Sequence, residues 1–166
     1  IRSRRRKLHQ KIAKVLTSDL GATLLPLPEA IAYHWSKGEV WREAFQWWTA
    51  AARHAAEGGA NTNAIAFSQE ALAAMRLAPE VRSGQEEAKL TSLLAAQLRI
   101  LRGSGSSIMV AAYERAREIV SALPSGSCDV DLEIGWGIAS AQLARCEVLD
   151  ALASSQLLSG KARARG

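Results

Sequence analysis

The side chains able to do chemistry are few and scattered. His9, His34 and His54 share no metal-ligand spacing and have no aspartate or cysteine at compatible offsets. His34 stands beside Trp35 in a stretch that reads as helix, so it is expected to be a hydrogen-bonded packing histidine. Cys128 and Cys146 lie eighteen residues apart with no histidine near either. That is not a zinc pattern, and both are expected to be small buried hydrophobes in a reduced, cytoplasmic protein. Glu86-Glu87 and the group Asp129, Asp131 and Glu133 fall at predicted helix starts, where the helix dipole already accounts for them. A catalytic carboxylate pair needs an apolar pocket to separate the two pKa values, and no such setting is visible. Gly103-Ser104-Gly105-Ser106 lacks the lysine and the preceding strand of a phosphate-binding loop, so it reads as a linker. No serine has an identifiable base. These residues predict no catalytic site, no metal and no cofactor, so the chain is not expected to be an enzyme.

Two sets of polar residues are candidates for contact rather than catalysis. Arg4, Arg5, Arg6 and Lys7 form a basic run able to touch phosphates or a neighbouring domain. Leu8, Ile12, Val15 and Leu16 make the same stretch amphipathic, and no aromatic is interleaved for base stacking. Nucleic-acid binding is therefore the lesser reading. Gln46, Thr49 and Arg53 would face a concave groove if Trp48 opens the first helix of a hairpin, and Arg53 would offer a rigid fork for carboxylates. With the opposite pairing of helices they turn outward.

Charge is confined to the ends. The formal net charge is +5, but residues 1–14 and 161–166 hold ten of the 21 basic residues and none of the 16 acidic ones. The stretch between them carries eleven bases against sixteen acids and is acidic. With 48% apolar residues the chain is not disordered throughout. No apolar run reaches the ~18 residues a transmembrane helix needs. The N-terminal arginines have no apolar core behind them, so no signal peptide is expected, and the missing initiator Met suggests a piece of a longer protein.

The elements that must position these residues are helices. Alanine and leucine dominate, and no stretch alternates in the β-branched manner of a strand. Eight helices are expected: Arg4 to Leu20, closed by Gly21; Pro28 to Gly38; Glu39 to Glu57; and Asn61 or Thr62, as a cap, to Leu77. The rest run from Ser83 to Arg102, Ile108 to Leu123, Asp129 to Arg145 and Val148 to Leu158. Pro124-Ser125-Gly126 ends the sixth. Short connections force antiparallel neighbours. The domain reading is an N-terminal basic helix over 1–21, a helical array over 22–158 and a disordered tail over 159–166.

A repeat underlies the array. Trp48-x2-Ala51-Ala52-x2-Ala55 is followed by Ala64, Ser68 and Ala71, an aromatic and small residues at tetratricopeptide offsets. Trp136-x2-Ala139-Ser140-x2-Leu143 with Ala151 is a second unit, and Tyr113-x2-Ala116 a partial third. The fold expected is all-α, with antiparallel hairpins stacked as a tetratricopeptide-like right-handed array.

The order of motifs adds a resemblance. Arg5-Arg6-Lys7-Leu8-His9-Gln10-Lys11-Ile12-Ala13 precedes Pro28-Glu29-Ala30-Ile31-Ala32-Tyr33-His34-Trp35. Ala44-Phe45-Gln46-Trp47-Trp48, Asn63-Ala64-Ile65-Ala66, Ala112–Ile119 and Trp136-Gly137 then follow. Over nearly its whole length the chain resembles the tetratricopeptide region of bacterial STAND-type ATPase signalling proteins, which end in a class III adenylate or guanylate cyclase or a LuxR-type DNA-binding domain. It departs from them at Lys37, where a small residue is usual, and at Cys146, where glycine is expected. The resemblance implies a cytoplasmic, non-catalytic module that couples a partner or effector to the attached ATPase and output domains. Its partner would be a protein or peptide, or neighbouring domains of the same chain, with no membrane involved. A nucleic-acid-binding helical domain and a small-ligand sensor are the alternatives.

Overall fold

Alanine decides how closely the helices of this chain approach. Ala13, Ala32, Ala44, Ala52, Ala64, Ala71, Ala88, Ala95 and Ala116 are all fully buried. A methyl group at a crossing lets two backbones come to the short end of the usual 8–10 Å separation. The computed structural model describes residues 2–18, 27–124 and 129–163. Within them it is all-α, with no strand among the described residues. The helices are α1 (Arg2–Leu16), α2 (Pro28–Lys37), α3 (Trp41–Glu57), α4 (Asn61–Leu77), α5 (Gly84–Arg102), α6 (Ser107–Ser121), α7 (Asp131–Ala144) and α8 (Val148–Arg163). A 3-10 turn at Pro79–Val81 follows α4.

The chain divides into two compact units, Ile1–Arg82 and Ser83–Gly166. In the first, α1 packs on α2, α2 on α3 and α3 on α4. In the second, α5 packs on α6, α6 on α7 and α7 on α8. Consecutive helices pack as neighbours in both.

The repeat positions fill the interior. Trp48, Ala51, Ala52 and Ala55 of α3 are buried with Ala64, Ser68 and Ala71 of α4. Trp48 ties three helices together. Its indole N–H donates to Ser36 Oγ on α2 at 2.8 Å, and its ring lies 5.3 Å from that of Phe67 on α4. Buried hydroxyls turn back onto their own helices, Ser68 Oγ to the Ala64 carbonyl at 2.7 Å and Thr49 Oγ1 to the Phe45 carbonyl at 2.8 Å. The second unit is centred on Tyr113, buried with Ala95, Met109, Ala116, Ile134, Ile138 and Ala141. Its ring lies where a side chain on Gly137 would be, so α6 approaches α7 through a glycine.

Three of the hairpin turns are built alike. In each, the second residue past the helix is left-handed or glycine, and the residue after it donates back to the carbonyl five positions earlier. The bonds are Val40 to Trp35 at 3.1 Å, Ala60 to Ala55 at 2.8 Å and Glu147 to Gln142 at 2.9 Å. This is the Schellman closure, which normally places glycine at the left-handed position. Gly59 occupies it with φ 73°, but Glu39 (φ 53°) and Cys146 (φ 63°) occupy it too.

Several expectations are corrected. Cys146 is exposed, not a buried hydrophobe; Cys128 lies outside the described residues, as do Gly21 and Ser125-Gly126. Leu8 and Val15 are exposed, so α1 is seated by Ala13 and its polar neighbours rather than by a leucine stripe. The flank of α4 is Ala60, with no side-chain cap from Asn61 or Thr62. The last helix continues past Leu158 to Arg163, because Lys161 reaches Asp131 on α7 at 2.8 Å. Residues 164–166 lie outside the described residues. Trp136, the aromatic of the second repeat unit, is 52% exposed. Its ring is covered by the Arg99 guanidinium 4.7 Å away, while Tyr113 takes the core.

Gly137→Ala should lower stability by about 1–2 kcal/mol in chemical denaturation. The helix-propensity gain of about 1 kcal/mol is outweighed by overpacking against Tyr113. An unchanged midpoint would contradict that packing. At the turns, Cys146→Gly should raise stability and Gly59→Ala lower it, each by about 1 kcal/mol. No atom lies within 4 Å of a Cβ at Gly59, so the second change reads the backbone alone.

Candidate functional site

The densest gathering of polar side chains lies between α1 and the C-terminal end of α2. The Schellman turn leaves the Gly38 carbonyl facing α1, where it accepts from Gln10 Nε2 at 2.7 Å and from Arg6 Nε at 3.2 Å. Gly38 has an ordinary φ of −78°, so its bare Cα is needed for the close approach of Gln10, whose Cγ lies 2.8 Å from where a Cβ would stand. Arg6 also pairs with the left-handed Glu39, Nη1 to Oε2 at 2.9 Å. One arginine thus holds both the turn's carbonyl and its carboxylate.

One helical turn further along α1, His9 meets His34, with the two Nδ1 atoms 3.0 Å apart. A bond of that length needs a proton on one Nδ1 and a lone pair on the other. Tyr33 stands edge-on to both rings, with centroids 6.1 Å from His9 and 5.5 Å from His34. Lys37 Nζ sits 5.4 Å above the Tyr33 ring. Burial first, and then the neighbouring His9, push the His34 pKa below its ordinary value.

These side chains border an open cavity of about 810 Å³, within the usual range for small-molecule sites. Arg5, Arg6 and Lys37 contribute its cationic lining, His9 an imidazole, Glu39 its one carboxylate, and Tyr33 and Trp41 its rings. Ser36 also reaches it. Its Oγ accepts the Trp48 indole N–H, which leaves the hydroxyl proton to be donated elsewhere.

The residues singled out in the sequence are placed as follows. Arg5 and Arg6 line the cavity, while Arg4 and Lys7 are exposed on α1 and do not. Gln46 and Arg53 are exposed on α3, but Thr49 is buried with its hydroxyl given to Phe45, so the three do not form one exposed row. Glu86-Glu87 open α5, where Ser83 Oγ accepts from Glu86 N at 3.5 Å and Glu87 pairs with Arg115 at 3.3 Å. No three His, Cys, Asp or Glu side chains converge as metal ligands among the described residues. The His9–His34 pair was missed because the residues are 25 apart in sequence and on different helices. Their only sequence signal was the amphipathic placing of each on its helix.

The second unit leaves apolar side chains in solvent around the α7–α8 turn. Leu143 is 57% exposed, Val148 61%, Leu149 82% and Leu152 55%. A separate cavity of about 150 Å³ lies between α7 and α8, bordered by Ile134, Ile138, Leu157 and Leu158. No helix among the described residues is long and apolar enough to cross a membrane.

Compared with protein-family models, with curated proteins and with solved structures, the chain gives no match.

The depressed His34 pKa fixes a pH dependence. The unfolded chain holds this proton more tightly than the folded one, so stability rises with pH. The contribution is complete above the unfolded value of about 6.5 and is lost as the pH falls below it. Thermal midpoints should therefore fall from pH 7.5 to pH 5.5, and His34→Gln should flatten that fall. A slope unchanged in His34→Gln would assign it to other groups.

Proposed function

We propose that this chain is a non-catalytic interaction module of a larger signal-transduction protein, whose helical hairpins bind a protein partner and pass that event to attached domains. The observation that carries the reading is the apolar surface at the α7–α8 turn, where Leu149 is 82% exposed beside Leu143, Val148 and Leu152. Exposed leucines grouped in this way mark protein-contact surfaces, whereas single ones need no explanation. Hairpin arrays bury such faces against the next element they meet.

The resemblance to the tetratricopeptide region of STAND-type ATPases supplies the coupling. A bound partner would bias the ATPase and output domains only to the extent that it binds two states of the whole protein differently. Arg6 is committed to Glu39 and Gly38, which takes one cation of the basic run away from phosphate contact. That favours the protein-binding reading over the nucleic-acid one.

The test is affinity capture from nuclease-treated lysate of the source organism with three baits: the unaltered chain, Leu149→Asp/Leu152→Asp, and Arg53→Glu. A specific partner held by the first and third baits and lost with the second is the expected result. A partner kept by the aspartate variant would remove the α7–α8 surface from the reading. Replicate captures with no specific protein would remove the protein-binding module itself.

A further inference from the structure

The open cavity between α1 and α2 gathers charged, polar and aromatic side chains in one place. Its volume of about 810 Å³ would hold a molecule much larger than an inorganic anion. Three fixed cations, Arg5, Arg6 and Lys37, face one carboxylate, Glu39. That carboxylate is held by Arg6 at 2.9 Å, which leaves Arg5 and Lys37 as the surplus charge. Both are exposed to solvent at the cavity. The described residues of α1 carry no acid, so the mouth of the cavity lies in a positive field.

The remaining lining is equally informative. Tyr33 and Trp41 offer two aromatic rings at a site whose other walls are polar. A plain anion site has no use for rings, but a planar heterocycle stacks on them. Ser36 has its oxygen engaged by Trp48 and its hydroxyl proton free to donate, and the Glu39 carboxylate accepts. This donor and acceptor suit hydroxyl groups standing between a charged end and a ring.

We propose that the α1–α2 cavity is a binding site for a phosphorylated planar heterocycle of the nucleotide class. Arg5 and Lys37 hold the phosphates, Trp41 and Tyr33 take the base, and Ser36 and Glu39 meet the sugar hydroxyls. The site lies within the first unit and owes nothing to the apolar surface of α7 and α8, so it stands or falls separately from the protein-partner reading.

The experiment is isothermal titration calorimetry of the full chain at low salt with three probes: ADP, adenosine and inorganic pyrophosphate. ADP is expected to bind with a dissociation constant on the order of 100 µM, the strength of a few charge-assisted contacts and one stacked ring. Adenosine should bind at least about ten-fold more weakly for want of phosphates, and pyrophosphate more weakly for want of a ring. Arg5→Gln/Lys37→Gln should cost ADP about ten-fold or more, while Lys11→Gln/Lys14→Gln, on the same helix outside the cavity, should leave it unchanged. Trp41→Leu should bring ADP down to the affinity of pyrophosphate. Equal binding of ADP and pyrophosphate by the unaltered chain would overturn the heterocycle, leaving only diffuse attraction to α1. Equal binding of ADP and adenosine, or no detectable binding of ADP, would overturn the site.

Discussion

Close approach of helices through alanine is the constraint from which most of this structure follows. Leucine at a crossing would hold two helices apart, whereas Ala32, Ala44, Ala52, Ala64 and Ala71 let them nearly touch. Tightly spaced helices leave few large gaps, and single aromatics fill them: Trp48 among α2, α3 and α4, and Tyr113 against Gly137. The same economy limits how much apolar area each helix buries, since a methyl group removes little surface from water. Leucines excluded from such thin interfaces are left on outer faces, and Leu149, Leu152 and Leu157 on α8 are the result. A core made of alanine and a surface that carries leucine are two sides of one packing solution.

The turns obey a second constraint. Antiparallel helices this close need a connection that reverses the chain in very few residues, and the Schellman closure does so with three residues between helices. Its left-handed residue is glycine once, at Gly59, and strained at Glu39 and Cys146. The two strained positions differ in what surrounds them. Glu39 gains the Arg6 ion pair, which places its carboxylate at the edge of the α1–α2 cavity. Cys146 gains no partner that the structure records, and its exposed thiol stands beside the apolar side chains of the α7–α8 turn.

The sequence made the helices and the repeat legible because both are local. Glycine and proline mark the stops, and the small residues Ala51, Ala52, Ala64, Ser68, Ala71, Ala116, Ala139 and Ala151 recur at offsets that a hairpin dictates; all are buried. What was not legible depended on two segments at once. Trp136 and Tyr113 occupy equivalent places in their motifs, and only the presence of Arg99 over one ring and Gly137 under the other decides which is core. The His9–His34 contact joins helices whose separate patterns give no reason to expect it. Thr49 looked like a groove residue because its helix was judged without α2, which packs on the same helix. The basic run at the N-terminus was visible, but not that Arg5 and Arg6 alone reach a cavity while Arg4 and Lys7 point elsewhere.

The α1–α2 contact is the exception to the alanine rule, and the exception explains the cavity. Among the described residues of α1, Ala13 alone is buried in the manner of the other helices. Further toward its N-terminus α1 is held by hydrogen bonds from Arg6 and Gln10 to one carbonyl, and by a shared proton between two histidines. Polar side chains of that length cannot close an interface to alanine spacing, because each must reach a partner with defined geometry. The open cavity lies where the contact is polar, bordered by charged and titratable side chains. In this unit charged side chains and aromatic rings share one open space where the packing rule of the rest of the chain is broken.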